Sequence, residues 1–396
     1  MDKESIVKYI ATFYLFAMCV QFIAIEGTTI SFVKVGLMAI APFIWLSYAP
    51  AFTKATAWSA AYMLVTSFAV YMQWDDARGS TILYSLLFFL LFNMYYALIY
   101  VKEAFTIDYY IKVIRTLIFA YAVTLFLQQI LVTIGIRYLP VVNLMGFSYY
   151  TTFRLNTLAI EPSHAARLMT VAGYVLLKLL EIKSGGKQAL DTLFLENKKT
   201  AFALLYVMVC IGSGTAFVGL AILGLYFIDR KYIAYIIPLF AVIYVIAISV
   251  DYEPLNRFIA VLRVSTELDS ELMRTVDHSA SVRTNIIFNT IKNLDLSDPN
   301  LLFGHGIDAS AGDSTAVVSA IYDYGLVSYI CKLGLFFSCC FSGLLSLPVL
   351  MFVVLFSFNI GNIAYGWAAL MMFATLKYFQ TQHDTTTDAD VNKRKR

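Results

Sequence analysis

The sequence predicts an all-α fold, a polytopic transmembrane helical bundle of about 12 spans with one large, partly helical, water-facing loop late in the chain. Of the 396 residues, 60% are hydrophobic and only 14% are charged, whereas soluble globular proteins are about one quarter charged. The apolar residues come in blocks of roughly twenty, the length that a helix needs to cross ~30 Å of hydrocarbon. Aromatic residues make up 16% of the chain, which is typical of aromatic belts at membrane–water interfaces.

The apolar blocks divide the chain into four regions. We predict a transmembrane bundle with nine candidate spans over residues 1–250, and a water-facing loop with short amphipathic helices over 251–324. Three C-terminal candidate spans follow over 325–380, and a basic tail over 381–396. The candidate spans are 8–25, 30–49, 56–73, 81–101, 113–135, 162–181, 200–213, 215–229, 231–250, 325–343, 345–358 and 360–379.

Positive charge in the loops predicts the orientation of the spans, because cytoplasmic loops collect Lys and Arg. Alternate loops are basic when both termini are cytoplasmic. The charge-free stretch 200–228 is either one long helix or two short helices hinged near residues 212–215. Two helices are preferred, since they keep the alternation and place 251–324 on the outer side. The Lys-Arg-Lys-Arg run at 393–396 is then a solvated cytoplasmic tail, and no nucleic-acid partner is expected.

The sequence contains no motif of a soluble enzyme. A Gly-rich phosphate loop followed by Lys-Ser/Thr, an H-E-x-x-H helix and a nucleophile elbow are all absent. The five cysteines lie inside apolar runs without the spacing of metal ligands, so we expect no disulfide, no metal and no cofactor. Candidate chemistry is therefore sought in the two outward segments of the chain.

The first candidate site is the segment from Phe153 to Arg167, at the outer start of a span. Pro162 suits the first position of a helix, which places Glu161 at or near the N-cap. With Arg154 before it and Arg167 inside, this positively polarised helix start can hold an anion such as a pyrophosphate. Glu161 could accept a proton from a sugar hydroxyl. The alternative interpretation is that Glu161 only caps the helix and the two arginines only anchor it at the interface.

The second candidate site lies in the loop 251–324 and consists of Arg283, His305 and Asp313. His305 stands between two glycines on a closely approachable segment, and histidine suits proton transfer near neutral pH. Arg283 heads one predicted amphipathic helix, and residues 317–322 predict a second. The alternative interpretation is that His305 is an ordinary exposed loop histidine and that Arg283 snorkels to the interface.

The order and spacing of these segments resemble the superfamily of bacterial inner-membrane O-antigen polymerases (Wzy-type) and O-antigen ligases. The resemblance covers about residues 150–380. The shared features are many spans, an Arg-…-Glu-Pro-Ser segment (Arg154, Glu161, Pro162, Ser163), a Gly-Ser-Gly hinge (Gly212, Ser213, Gly214), and a large late loop with an Arg-headed helix (Arg283, Thr284, Asn285) and a Leu-Phe-Gly-His-Gly segment (Leu302 to Gly306).

Two positions depart from the pattern of the superfamily. Its hinge often carries Ser-Arg, whereas Ser213 here is followed by Gly214. Ligases carry a histidine after the Gly-x-Gly segment, at about the position of Asp313 and Ser314 in this chain. The second departure favours a polymerase over a ligase.

The resemblance implies a glycosyltransferase that moves a growing glycan from undecaprenyl pyrophosphate to the non-reducing end of a new lipid-linked repeat unit. The reaction would take place on the periplasmic side, so that 251–324 would be a periplasmic loop. Implied partners are the undecaprenyl-pyrophosphate-linked oligosaccharide, the lipid bilayer, and a chain-length regulator and a flippase of the same pathway. The implied location is the bacterial inner membrane, with a multi-pass chain and both termini in the cytoplasm.

The candidate residues take two roles in this hypothesis. Those that would neutralise the pyrophosphate are Arg154 and Arg283, with Arg167 as a secondary candidate. Those that would act as base for the acceptor hydroxyl are Glu161, His305 and Asp313. The alternatives are an O-antigen ligase, a flippase or transporter of lipid-linked sugar, and a non-enzymatic membrane scaffold. Transporters tend to show internal repeats and charges at mid-membrane, and the sequence shows neither.

Overall fold

The computed structural model is all-α: the described part of the chain contains thirteen α-helices and no strand. The described residues are 3–22, 31–72, 79–136, 154–228, 297–306, 316–361 and 363–394. The helices are α1 (Lys3–Cys19), α2 (Phe32–Tyr48), α3 (Lys54–Met72), α4 (Gly79–Tyr100), α5 (Ile107–Thr133), α6 (Pro162–Ser184), α7 (Leu190–Glu196), α8 (Lys198–Cys210), α9 (Gly214–Phe227), α10 (Ala316–Tyr324), α11 (Leu326–Cys339), α12 (Leu347–Phe356) and α13 (Ala364–Arg394). A short 3-10 helix, Pro299–Leu301, precedes α10.

Every candidate span except 231–250 coincides with a helix; that span lies outside the described residues, as does most of 251–324. Among the described helices, two are long and apolar enough by length and composition to cross a membrane, α4 over Ile82–Tyr100 and α5 over Ile107–Thr133. Other apolar helices are shorter. The 10 residues of α12 extend only about 15 Å at 1.5 Å per residue. Helix lengths therefore do not confirm a count of about twelve spans.

Three helices, α4, α6 and α13, form the centre of the bundle. Nearly all side chains of α6 over residues 165–180 are buried, and so are those of α13 over 364–379. Helix α13 packs against both α4 and α6. The hydroxyls of Tyr95 and Thr375, 2.9 Å apart, join α4 to α13. These helices can be buried on all sides because their sequences are apolar around most of the circumference.

The outer helices expose large apolar side chains. Only 33% of the spanning window of α5 is buried, against 72% for α4. The exposed apolar side chains of α2, α3 and α5 include Phe32, Val33, Ile40, Phe43, Leu46, Leu64, Phe68, Tyr71, Phe119, Val123, Phe126, Leu127 and Ile130. All three outer helices therefore present apolar side chains to their surroundings.

One end of the bundle, which we call the Glu161 end, contains the end of α1, the start of α2, the end of α5 and the starts of α6 and α13. Gln21, just after α1, donates its backbone N–H to Leu158 O at 2.7 Å, and the first turn of α13 contacts α6. At the opposite end, Lys183 Nζ lies 2.5 Å from Asp108 Oδ1 and joins the end of α6 to the start of α5. Helix α1 therefore begins, and α13 ends, away from the Glu161 end.

The stretch 200–228 forms two helices, which confirms the preferred prediction for this region. Residues 211–213 separate α8 from α9, and Gly212 has φ +69°, a left-handed conformation that glycine adopts without a Cβ clash. Helix α9 then packs closely on α6. A Cβ at Gly219 would lie 2.0 Å from Thr170 Oγ1, so only glycine permits this approach.

The helix predicted over residues 317–322 is confirmed as α10. Its buried residue Ile321 packs with Leu301 and Tyr329. The apolar face of α10 therefore lies against the short 3-10 helix and α11.

Helix α13 is longer than the predicted span 360–379. It has 31 residues and continues through most of the region 381–396. The chain offers no proline or glycine after Gly366 to end the helix. The basic C-terminal region is therefore helical through Arg394.

Candidate functional site

One buried amide side chain on α5 holds the backbone that precedes α6. Gln128 Nε2 donates to Asn156 Oδ1 at 3.3 Å and to Thr157 O at 3.1 Å, and Gln128 Oε1 accepts from the Thr157 N–H at 2.9 Å. Asn156 Nδ2 donates in turn to Ile160 O at 3.0 Å. Thr157 has φ +53°, a conformation disfavoured for a β-branched residue. These bonds offset that cost and fix the path of the segment 154–161 into α6.

Glu161 occupies the N-cap of α6, as the sequence predicts. Its backbone is extended (φ −132°, ψ 153°) and Pro162 begins the helix. The carboxylate makes no capping hydrogen bond; it accepts a hydrogen bond from Ser163 Oγ at 3.3 Å. The Glu161 side chain is 56% exposed. Glu161 therefore caps the helix through its backbone, while its carboxylate is accessible and is not used for capping.

Glu161 begins a chain of contacts that joins α6 to α13. His164 Nε2, one turn into α6, lies 3.9 Å from Glu161 Oε2. The His164 ring stacks on Tyr365, with ring centroids 4.0 Å apart and an interplanar angle of 24°. Arg167, a further turn along, donates to the Tyr365 hydroxyl. Its guanidinium carbon lies 5.6 Å from the ring centroid, within cation–π range. Tyr365 thereby orients both basic side chains.

The arginines add positive charge at this helix start. Arg154 is exposed, and Arg167 is half-buried. Among the ion pairs between described residues, neither arginine is paired with a carboxylate. The start of α6 contributes further partial positive charge. Positive charge thus lies on both sides of Glu161 along the chain, and Arg167 contacts Tyr365 on α13.

His305 is not an ordinary exposed loop histidine. Its Nε2 lies 2.6 Å from Asp298 Oδ2, and its side chain is only 20% exposed. The ring stacks on Tyr322, with centroids 3.9 Å apart, and the backbone N–H donates to Tyr322 O at 2.7 Å. Nδ1 is buried, with no hydrogen bond within the described residues. Because neither ring nitrogen is available to an acceptor hydroxyl in this conformation, the geometry favours a positioning role for His305 over that of a base.

Two glycines allow the His305 segment, residues 297–306, to lie directly on the junction of α10 and α11. Gly304 has φ +86° and Gly325 has φ +87°, a region that disfavours other residues. A Cβ at Gly304 would lie 2.4 Å from Asp323 O, and one at Gly325 would lie 2.4 Å from Leu302 O. The close backbone contact fixes where His305 is presented.

A short loop joins the His305 region to the start of α13. Tyr329, in the first turn of α11, donates its hydroxyl to Phe358 O at 3.0 Å. Trp367 Nε1, on α13, donates to Gly361 O at 3.1 Å. The His305 region is thereby connected to the Glu161 end through the loop between α12 and α13.

The remaining two predicted site residues, Arg283 and Asp313, lie outside the described residues. Within the described ranges, no group of three or more His, Cys, Asp or Glu side chains is arranged to hold a metal ion. Glu161 thus lies at the start of α6 with Arg167 in the second turn and Arg154 in the segment before it, and His305 belongs to a second cluster.

Three residues of these clusters, His164, Tyr365 and Asp298, were not predicted as site residues. His164 had a signal, because it lies one helical turn from both Glu161 and Arg167 and so shares their face of α6. Asp298 precedes a proline, a pattern that indicates only a turn. Tyr365 had no local signal, because 198 residues separate it from Arg167 in sequence.

Comparison of the chain with protein-family models, with curated proteins and with solved structures gives no match.

Proposed function

We propose that the chain is a glycosyltransferase of the bacterial inner membrane, an O-antigen or related surface-polysaccharide polymerase. It transfers a growing glycan from undecaprenyl pyrophosphate to the non-reducing end of a new lipid-linked repeat unit on the periplasmic side. One observation carries the proposal: the exposed carboxylate of Glu161 lies at a helix N-terminus in the same segment as Arg154 and Arg167, which have no described carboxylate partner. The resemblance to O-antigen polymerases supplies the substrate class.

The outer surface of the bundle supports the membrane location. The spanning window of α5 is apolar, yet only 33% of it is buried, unlike the core helix of a soluble protein. Exposed Phe43, Leu64 and Phe126 belong to three different helices. Hydrocarbon is an environment in which such a surface is stable and in which helices satisfy their own backbone groups.

The positions of the chain ends support the proposed orientation. Helix α1 begins, and α13 ends, at the end of the bundle opposite to Glu161. Both termini therefore lie on one side, as a chain with two cytoplasmic termini requires. The Glu161 end then faces the periplasm, where flipped lipid-linked repeat units are found.

The proposed transfer uses the Glu161 end as follows. The acceptor sugar hydroxyl attacks the anomeric carbon of the donor glycan, the bond from that carbon to the diphosphate oxygen breaks, and its electron pair leaves with the diphosphate. Glu161 takes the proton of the hydroxyl. Arg154 and Arg167, with the start of α6, stabilise the negative charge on the departing diphosphate. Arg283 is proposed as a further cation and Asp313 as a further candidate base.

The cellular test is deletion of the gene followed by a gel of surface polysaccharide. We expect single repeat units in place of a ladder of chain lengths, because synthesis, flipping and attachment of one unit do not need the polymerase. Loss of all attached glycan, single units included, would indicate a ligase or a flippase and would contradict the proposal.

The biochemical test uses the purified chain in liposomes that contain undecaprenyl-pyrophosphate-linked repeat units. Glu161→Gln keeps the shape of the side chain and removes the proton acceptor, so chain extension should slow by about 10²- to 10⁴-fold. Thermal stability should not change, because the carboxylate is exposed and caps nothing. Glu196→Gln, at an exposed position in α7, is the matched control and should extend chains at the wild-type rate. A wild-type rate for Glu161→Gln would remove Glu161 as the base.

A further inference from the structure

A cavity of about 30 Å³ lies at the Glu161 end between α1, α2, α4, α6 and α13. This volume holds one or two oxygen-sized groups. The polar residues among those lining it are Gln21, Lys34, Tyr84, His164 and Tyr365. None of the described residues that line the cavity carries a carboxylate.

Lys34 is the cation of this cavity. It lies in the first turn of α2 and is only 5% exposed. Its one polar contact with a described residue is the 3.5 Å distance from Nζ to Gln21 Oε1, which is long and leads to a neutral group. Burying an ammonium costs far more free energy than one long hydrogen bond returns. The described protein groups therefore leave the charge of Lys34 uncompensated.

Helix geometry adds to the positive potential of the cavity. The starts of α2, α6 and α13 reach it through Lys34, His164 and Ala364. Each helix start contributes partial positive charge. Arg167 approaches the same place from α6 by bonding the hydroxyl of Tyr365. Such a set of donors and charges suits the oxygens of an anion.

We propose that this cavity is the inner end of a phosphate subsite, into which a diphosphate projects one or two non-bridging oxygens that Lys34 binds. The inference rests on the proposed function, because it assigns the diphosphate of the lipid-linked donor to this cavity. Lys34 lies on α2, outside the segment 150–380 that carries the family resemblance. It therefore adds a cation that the sequence motifs do not contain.

The test measures ligand affinity and thermal unfolding of the purified full-length chain in detergent micelles. The probes are geranylgeranyl diphosphate, inorganic pyrophosphate and geranylgeraniol, which together separate a lipid headgroup, a free anion and the prenyl chain. The variants are Lys34→Met, Lys34→Arg and the matched control Lys332→Met. Lys332 is a second buried lysine, 7% exposed, whose Nζ bonds an amide oxygen, that of Asn359, at 3.0 Å; it does not line the cavity.

We expect the wild type to bind geranylgeranyl diphosphate and not geranylgeraniol. Lys34→Met should weaken the affinity for the diphosphate by about 10- to 100-fold, the effect of losing a charge-assisted hydrogen bond, and Lys34→Arg and Lys332→Met should retain it. Without ligand, Lys34→Met should unfold at the wild-type temperature or above it, because the variant removes an uncompensated buried charge. If Lys34→Met does not accumulate, Lys34→Gln replaces it with the same expected loss. If both inorganic pyrophosphate and geranylgeranyl diphosphate bind, the anion alone is sufficient for binding. If only geranylgeranyl diphosphate binds, the ligand is the headgroup of a lipid. Both results support the subsite.

Equal affinity of the wild type and Lys34→Met for the prenylated diphosphate would overturn the subsite while leaving the proposed function intact. An equal loss in Lys34→Met and Lys332→Met would also overturn it, because the loss would then come from disturbed packing. A Lys34→Met protein that unfolds at a lower temperature and still binds the diphosphate would also overturn the subsite, because Lys34 would then stabilise the fold without binding the ligand. A wild type that binds no diphosphate at all would contradict the proposed function itself.

Discussion

Replacing Gln128 by leucine should release the segment before α6 without disturbing the helix bundle. Gln128 is fully buried, and its side chain makes three hydrogen bonds to Asn156 and Thr157. Leucine has a similar size and suits the apolar interior, so the change removes hydrogen bonds rather than packing. The backbone N–H and C=O of Thr157 then lose these partners in a buried position.

The size of the effect follows from the groups left without partners. A buried polar group without a hydrogen bond costs about 1–3 kcal/mol, and two backbone groups of Thr157 are affected. The left-handed conformation of Thr157 stores about 1–3 kcal/mol more. Reorganisation of the segment relieves part of this sum. We therefore expect local opening of 154–161 to become easier by about 3 kcal/mol, roughly a 150-fold rise in the open population.

Hydrogen–deuterium exchange of the purified chain measures this opening directly. The Thr157 amide should exchange roughly 150-fold faster, while the centre of α6 should be unchanged. Chain extension should fall as well, because Arg154 is no longer held at a fixed distance from Glu161. Gln129→Leu is the matched control, since Gln129 is the neighbouring glutamine on α5 and accepts a hydrogen bond from Tyr206 on α8.

Two results would refute this reasoning. Unchanged exchange of residues 155–158 in Gln128→Leu would show that the amide does not anchor the segment. Rapid exchange together with full chain extension would show that the fixed path of the segment does not position Arg154.

Three further perturbations test other parts of the site. Arg154→Ala should raise the KM for the lipid-linked donor by about tenfold without changing the unfolding temperature, because the side chain is exposed; an unchanged KM in steady-state assays would remove Arg154 from the anion site. Asp298→Asn removes the charge-assisted hydrogen bond to His305, worth about 1.5–3 kcal/mol, and should speed amide exchange over 297–306 by about 10- to 100-fold. Unaltered exchange would show that the Asp298–His305 hydrogen bond does not hold this segment in place. Gly325→Ala should lower the unfolding temperature and cost about 2 kcal/mol or more, because the φ of Gly325 is +87° and a Cβ would meet a carbonyl oxygen at 2.4 Å. The control is Gly343→Ala, whose Cβ would have no neighbour within 4 Å. Equal stability of the two variants would show that the junction of α10 and α11 is not tightly packed.

The helices were predictable because apolar blocks of membrane-helix length are a strong local signal. The positions of several helix ends were not predictable. The candidate span 360–379 begins late, at Ala364, because residues 357, 358 and 361 adopt left-handed conformations that form a turn. Nor did hydropathy predict α7, whose 7 residues are too few to show a clear period. The local sequence shows which segments are apolar, whereas tertiary packing determines where the helices begin and end.

The candidate site was predictable only where its residues are neighbours in sequence. Pro162 predicted the start of α6 and hence the place of Glu161, because proline at the first helical position has a local physical cause. The contact of Arg167 with Tyr365 depends on how α6 and α13 pack against each other, and no local sequence pattern predicts that packing. The same holds for Lys34, since a lysine at the start of an apolar helix usually remains at the interface. Its burial results from the helices that surround it.

The distribution of charge at the Glu161 end gives the proposed reaction a direction. The cations Lys34 and Arg167 are buried or half-buried, whereas Glu161 is more than half exposed. Electrostatic attraction is stronger away from water, so the diphosphate, which gains charge as its bond breaks, belongs on the buried side. The acceptor hydroxyl then approaches Glu161 from the water side. Loss of a cation should therefore raise the donor concentration needed for half-maximal rate and also lower the maximal rate, whereas loss of Glu161 should lower only the rate at saturating donor. If both kinds of variant changed the same kinetic constants to the same extent, the anion and the proton acceptor would not be divided in this way.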